Sequence, residues 1–247
     1  MSTLTAHAVL QTWEHARAEH PLRRSLALLR MAWPEADEGH GADWGQLPLG
    51  TRDAWLFRLQ EMLFGQELDT IAACPACQET LQTQFATADL QTPAGEAGHG
   101  GASLQLDGFE LDFRLPASDD LIAVAELDTV EAATRQLLER CVLQARHHGS
   151  PTAASELPPA VVDRLQLEMA QLDPGADTTI ALTCPACGHG FERRFDIGAY
   201  LWDELDDWAQ RTLGEVHLLA SAYGWSESQI LGLSAARRGH YIALVQS

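Results

Sequence analysis

The chain has 247 residues, is 46% hydrophobic and carries a formal net charge of −19, so it can bury a sizeable core under a surface that repels phosphate backbones and anionic membranes. No stretch reaches about 18 apolar residues and Met1 to His20 lacks the pattern of a signal peptide, so neither membrane insertion nor secretion by that route is expected. Four of its five cysteines fall in two Cys-x-x-Cys pairs, a usage that suits a reducing cytoplasm better than a disulfide framework.

In chain order, helical periodicity appears from about Thr5 to Arg17 and from Pro21 to Met31, where Leu22, Leu26, Leu29 and Met31 form a stripe. The Gly- and acid-rich Glu35 to Gly45 reads as a surface loop. Thr51 is placed to cap a helix running to about Phe64, with Trp55, Leu56, Leu59, Met62 and Leu63 at helical spacing and Gly65 as its stop. Strands are expected at Leu68 to Ala73 and Thr80 to Phe85, on either side of Cys74-Pro75-Ala76-Cys77. Thr92 to Gly101 reads as a flexible loop. Ser103 to Leu115 alternates around Asp107-Gly108, a pair whose tolerance of positive φ marks a hairpin.

Ser118 is placed to cap a short helix, and Thr129 to Arg146 reads as a longer one that buries Cys141 and ends at His147-His148, taken as surface or capping residues. Pro158 to Leu172 gives another helix before Asp173-Pro174-Gly175 turns the chain. Strands at Thr178 to Thr183 and Gly190 to Phe195 flank Cys184-Pro185-Ala186-Cys187. From Ile197 to Ala222 an amphipathic helix with Asp203, Glu204, Asp206 and Asp207 on its outer face is expected, closed by Gly224. Ser226 and Gln229 form a capping-box pattern, and Ser234 opens a last helix.

The two Cys-Pro-Ala-Cys segments carry the chemistry. Sliding the chain by 110 positions brings Ile71 near Ala181 and lays Leu81 on Phe191 and Phe85 on Phe195, so each pair lies in the same strand–knuckle–strand setting. Cys74, Cys77, Cys184 and Cys187 would complete a tetrahedral thiolate shell for zinc, and a saturated shell leaves no open position for an activated water. Ribbons of this kind separate their pairs by roughly 15 to 20 residues; here 106 residues, Gln78 to Thr183, intervene. The expectation is a split zinc ribbon with a large insertion and a structural metal. Two independent redox dithiols or fortuitous cysteines are the alternative; the redox reading is disfavoured because a Gly-His-Gly turn after Cys187 leads into a strand-like Phe191 to Phe195 instead of opening a helix.

The string Glu215-Val216-His217 to Ala222-Tyr223-Gly224-Trp225-Ser226-Glu227, followed by Ile230-Leu231, Leu233-Ser234, Arg237-Arg238 and Tyr241, resembles a motif of tail and baseplate-associated proteins of contractile phages and phage-like injection systems. Leu47-Pro48-Leu49-Gly50-Thr51-Arg52-Asp53 with Leu63-Phe64-Gly65, Phe113-Arg114-Leu115-Pro116 with Asp120-Leu121, and Phe195-Asp196 with Leu201-Trp202 extend the resemblance from about Leu47 to Val245. Gln78 stands where the second knuckle has Gly188. The resemblance implies a structural or assembly component of a baseplate, no catalytic residues, and other tail or baseplate proteins as partners.

The full expectation is a mostly helical α+β chain: a helical region at residues 1–66, the split ribbon with its inserted hairpin and helices at 67–196, and a helical region at 197–247, joined in one composite domain. Tyr223 and Trp225 are the candidate partner-binding anchors. No Walker loop, His-Glu-x-x-His or Gly-x-Ser-x-Gly signature is present, so an enzyme is not expected. Two alternatives stand: a zinc-ribbon adaptor binding nucleic acid, which needs a basic stripe against the overall charge, and a thiol oxidoreductase or other enzyme. The expected location is the cytoplasm, with assembly into or onto a phage-like particle.

Overall fold

The computed structural model describes residues 4–34, 43–91 and 101–246. Its fold is α+β, with helices around small antiparallel sheets. Of the loops expected at Glu35 to Gly45 and Thr92 to Gly101, only residues 43–45 and Gly101 lie within the described residues. Trp44 does not lie on a surface loop: it is buried and meets the Trp55 ring edge-on at 5.7 Å. The chain divides into two compact units, Met1–Gly39 with Gly198–Ser247, and His40–Ile197.

The first unit joins the two ends of the chain. It holds α1 (Ala6–Ala16), α2 (Pro21–Ala32) and, beyond the second unit, α8 (Ile197–Tyr223), α9 (Glu227–Leu231) and α10 (Ala235–Gln246). Thr5 caps α1 by accepting the Ala8 N–H, and Pro21 opens α2 where a missing N–H costs nothing. Leu201, Leu205, Ala209, Thr212 and Leu219 recur at helical spacing as the buried stripe of α8. Its acidic face is not wholly solvated: Asp206 Oδ1 accepts the Trp13 indole N–H at 2.8 Å. Gly224, at φ +68, closes α8 with its N–H on Ala220, and Ser226 and Gln229 form the capping box of α9. Arg238 is buried and donates to Glu215 at 2.7 Å and to the Leu233 carbonyl at 2.9 Å.

The second unit runs through α3 (Leu49–Leu63), the hairpin of β1 (Glu67–Ala73) and β2 (Thr80–Ala86), and the short α4 (Thr87–Leu90). The Asp107-Gly108 hairpin of β3 (Ala102–Leu106) and β4 (Phe109–Phe113) follows, then α5 (Ser118–Val124) and α6 (Val130–Cys141). The expected helix from Thr129 to Arg146 stops at Cys141, and Val142–His147 is a strand, β5, paired antiparallel to β4. Pairing to the open edge of the hairpin outweighs the helical pattern of those six residues. His148 at φ +48 and Gly149 at φ +81 then make a second tight turn into β6 (Ser150–Pro151). The histidines therefore sit on a hairpin, not a helix end; their rings lie 4.3 Å apart, and His147 stacks on Phe109 at 4.1 Å. The hairpin expected from the sequence is half of a four-stranded sheet, ordered β3-β4-β5-β6.

One face of that sheet, with Leu104, Phe109, Leu111, Phe113 and Ala145, packs with Val161 and Leu165 of α7 (Pro159–Leu172). A 3-10 turn at Pro174–Ala176 leads to β7 (Thr179–Thr183) and its antiparallel partner β8 (Gly190–Arg194). Cys141 is a core residue, and burial, with Asp120 nearby, pushes its thiol up to about 11.

The Arg114 to Asp120 segment is pinned by charge. The Asp120 carboxylate is fully buried and accepts from Arg114 Nη2 at 2.8 Å, Arg140 Nε at 2.7 Å and the Ala117 N–H at 3.0 Å. Ala117 thus holds the capping position expected of Ser118, whose Oγ instead accepts from Arg52 at 3.2 Å. Burial raises the Asp120 carboxyl, but Arg114, the Ala117 N–H and Arg140 outweigh it and hold it below the usual carboxylate range. A depressed folded value means that this stabilisation is complete above the ordinary carboxylate range and is lost as pH falls through the depressed value. Asp120→Ala leaves two guanidinium groups unpaired. Because both arginines are partly exposed, we expect a loss of about 2–3 kcal/mol, read as a lower denaturant midpoint at neutral pH and a flatter acid limb of the stability curve.

Candidate metal centre

Two strands that are far apart in sequence reach one place because α3 and the turn before β7 are locked together. The helix begins two residues before the expected Thr51 cap, with Pro48 in the capping position. The N–H of Gly50, in its first turn, is satisfied by a residue 123 positions away, donating to Asp173 Oδ2 at 2.9 Å. Any side chain at Gly50 would collide: a Cβ would lie 2.1 Å from Asp173 Oδ1 and 2.9 Å from the Ala176 nitrogen. Close approach of the two backbones is what this glycine permits. Burial raises the Asp173 carboxyl against the Gly50 N–H and Arg52. Phe57 of α3 stacks on Phe195, just past β8, at 6.1 Å. Since α3 leads into β1 and this turn leads into β7, the lock brings both hairpins together.

At the ends of those hairpins the two knuckles have the same backbone. The Cys74 N–H donates to the Glu79 carbonyl at 2.8 Å and the Gln78 N–H to the Cys74 carbonyl at 2.9 Å; Cys184 with His189 and Gly188 with Cys184 repeat both bonds at 2.9 Å. Gln78 at φ +63 and Gly188 at φ +74 occupy the same left-handed position. The replacement of glycine by glutamine therefore leaves the turn geometry unchanged, at a conformational cost of about 1–2 kcal/mol for a residue with a Cβ.

The four sulfurs lie within 4.8 Å of one another. Cys74 Sγ is 3.7 Å from Cys187 Sγ, and Cys77 Sγ is 3.6 Å from Cys184 Sγ. A disulfide needs about 2.05 Å, so these are separate thiols. A tetrahedron of sulfurs bonded to a central ion at about 2.3 Å has edges of about 3.8 Å, and the cluster meets that test. Cys74 and Cys184 are buried beside Leu81 and Phe191, whereas Cys77 and Cys187 are exposed.

Charge gives a second test. Burial raises the Cys74 thiol, yet the N–H groups of Cys77 and Ala76, with the neighbouring sulfurs, bring it down to about 7. The Glu79 N–H lowers Cys77, but the sulfur of Cys187, burial, and the sulfurs of Cys184 and Cys74 push it up to about 12. The His189 N–H and Cys77 lower Cys187, and burial with Cys184 and Cys74 raises it overall. Cys74 ionises readily and Cys77 and Cys187 then hold their protons, because like charges this close repel. A divalent cation at the centre would remove that conflict, so the donor set fits a thiolate-bound metal ion.

The structure therefore brings together all four cysteines singled out in the sequence. Tyr223 and Trp225 lie in the other unit, where their rings stack at 4.7 Å and Tyr241 meets Trp225 edge-on at 5.0 Å. Sequence reasoning missed Gly50 and Asp173, which make the site possible. Asp173 was visible only as a turn residue, and nothing local ties it to Gly50. It read Gly149-Ser150-Pro151 as a break but missed the hairpin turn at His148-Gly149, for which the glycine following His148 was the available signal.

Four cysteines carried on two antiparallel hairpins, with their sulfurs close enough to share one ion, form a possible metal site. The family model described as T4 bacteriophage base plate protein matches residues 36–197, about two thirds of the chain. The chain belongs to this family, as a phage baseplate-type protein. It matches no curated protein and no solved structure. Among the described residues no helix is long and apolar enough to cross a membrane.

The paired knuckles allow a test of backbone cost. A Cβ at Gly188 would meet nothing within 4 Å, so the effect of Gly188→Ala comes from φ alone. We expect it to lower stability by about 1 kcal/mol and Gln78→Gly to raise it by a similar or smaller amount, both read from denaturant midpoints.

Proposed function

We propose that this baseplate-family chain is a non-enzymatic structural or assembly component of a contractile tail or injection-system baseplate, clamped by one structural zinc ion that Cys74, Cys77, Cys184 and Cys187 share. The observation that carries this reading is the sulfur cluster itself, drawn from two segments 106 residues apart and spaced like the edges of a thiolate tetrahedron. Zinc suits it because that ion accepts four soft ligands in a tetrahedron without redox chemistry. The bound ion closes a loop that contains the four-stranded sheet and α5 to α7, so metal binding and folding of the insertion are one equilibrium. In this reading the partners are other baseplate or tail proteins, met after synthesis in the cytoplasm.

Tyr223 and Trp225 serve as partner-binding anchors. Tyr223 is 39% exposed, and Leu244 and Val245 on α10 are also exposed, so aromatic and aliphatic side chains are available at this end of the helical unit. Large rigid side chains of this type supply contact area at little entropic cost.

Elemental analysis of gently purified protein is expected to find one zinc per chain. Chelation, or Ser in place of any of the four cysteines, is expected to cost about 4 kcal/mol and lower Tm by roughly 8–16 °C; a metal-free chain, or variants melting like the wild type, would contradict the clamp. For the partners, co-purification from cells expressing the whole tail gene cluster is expected to recover baseplate proteins. Trp225→Ala with Tyr223→Ala should weaken that recovery at least tenfold without changing Tm by more than about 3 °C; undiminished recovery would remove these residues from the interface.

A further inference from the structure

We infer that the four-sulfur cluster is a clasp that survives oxidation, exchanging its metal for two disulfides that run between the knuckles, Cys74 to Cys187 and Cys77 to Cys184. The inference rests on the metal-clamp reading but concerns what the same sulfurs do when a two-electron oxidant such as a peroxide reaches them.

Two observations point to this pairing. The thiol contacts at 3.7 and 3.6 Å both cross from one knuckle to the other, and each joins one exposed sulfur to one buried sulfur. In the metal-loaded cluster all four sulfurs are thiolates, so exposure decides which is oxidised first: Cys77 and Cys187 are the sulfurs a peroxide meets, while Cys74 and Cys184 are sheltered from it and placed to resolve the product.

The chemistry balances. A lone pair of the exposed thiolate attacks the peroxide O–O bond, giving a sulfenic acid and releasing hydroxide. The thiolate of its buried partner then attacks that sulfur, forms the S–S bond and expels a second hydroxide. Each pair loses two electrons to one peroxide; two peroxides convert all four thiolates, and the metal departs as a free divalent cation. Because each new bond joins Cys74 or Cys77 on one side to Cys184 or Cys187 on the other, the two hairpins stay tied. Disulfides within the knuckles would instead release one hairpin from the other. A cross-knuckle link would let the chain keep its shape in an oxidising medium, where a particle spends its life outside the cell.

The test treats the full-length, metal-loaded protein with hydrogen peroxide, follows metal release with a chromogenic chelator, traps remaining thiols by alkylation under denaturing conditions, and maps disulfides by mass spectrometry. We expect metal release in step with appearance of the Cys74–Cys187 and Cys77–Cys184 linkages. One alkylatable thiol of five, buried Cys141, should remain. The oxidised chain should melt close to the metal-loaded chain and well above the reduced, chelated one, with a dithiol reductant abolishing the difference. Linkages of Cys74 to Cys77 and Cys184 to Cys187, oxidation to sulfinic acids, or retention of metal with no disulfide would each overturn the inference and leave the metal-clamp reading standing. If the purified chain binds no metal, the clamp reading fails by itself, and peroxide treatment of the reduced chain still decides the pairing.

Discussion

Four sulfur atoms held within 4.8 Å form an arrangement in which a second ionised thiol would meet the charge of the first. In the absence of a cation, ionising one thiol raises its neighbours, as the opposed shifts at Cys74 and Cys77 show. The geometry of β1, β2, β7 and β8 nevertheless directs all four to one point. The surrounding structure therefore reads as scaffolding for that point: α3 delivers the first hairpin, the turn at Pro174–Ala176 delivers the second, and the Gly50–Asp173 hydrogen bond holds those two deliverers together.

The segments that carry the family resemblance have structural work of their own. Leu49 donates its N–H to the Pro116 carbonyl, Pro48 bridges Ala117, Arg52 reaches Ser118, and Asp119 donates to the Gly45 carbonyl. The stretch around residues 45–53 is thus the dock for the stretch around residues 114–120, and the buried carboxylate of Asp120 organises the second of these through two arginines. Together these contacts join the start of α3 to the turn after β4. That the match to the baseplate family spans residues 36–197 agrees with this, since the docked segments and both knuckles fall inside it.

How much could be read beforehand depended on whether the deciding interaction was local. The cap at Ser226, the stop at Gly224 and the turn at Asp107-Gly108 are each settled within four residues, and the structure has them where the pattern put them. The start of α3, the cap of α5 and the fate of Val142–His147 are not local. A distant Asp173 satisfies the first turn of α3, α5 starts one residue earlier than expected with Ala117 at its cap and the Ser118 hydroxyl accepting from Arg52, and β4 offers an edge that turns a helical pattern into a strand.

The sequence by itself determined the four candidate ligands, their pairing into two matching knuckles, the α+β composition and the resemblance to baseplate proteins, because spacing and residue chemistry are properties of short segments. Only the tertiary structure decided that the two knuckles face one another, that Gln78 adopts the left-handed turn of Gly188, and that each exposed sulfur stands opposite a buried one on the other hairpin. Those facts follow from close packing between segments more than a hundred residues apart, where a missing Cβ at Gly50 and one carboxylate at Asp173 set the distance; no local pattern encodes such a meeting.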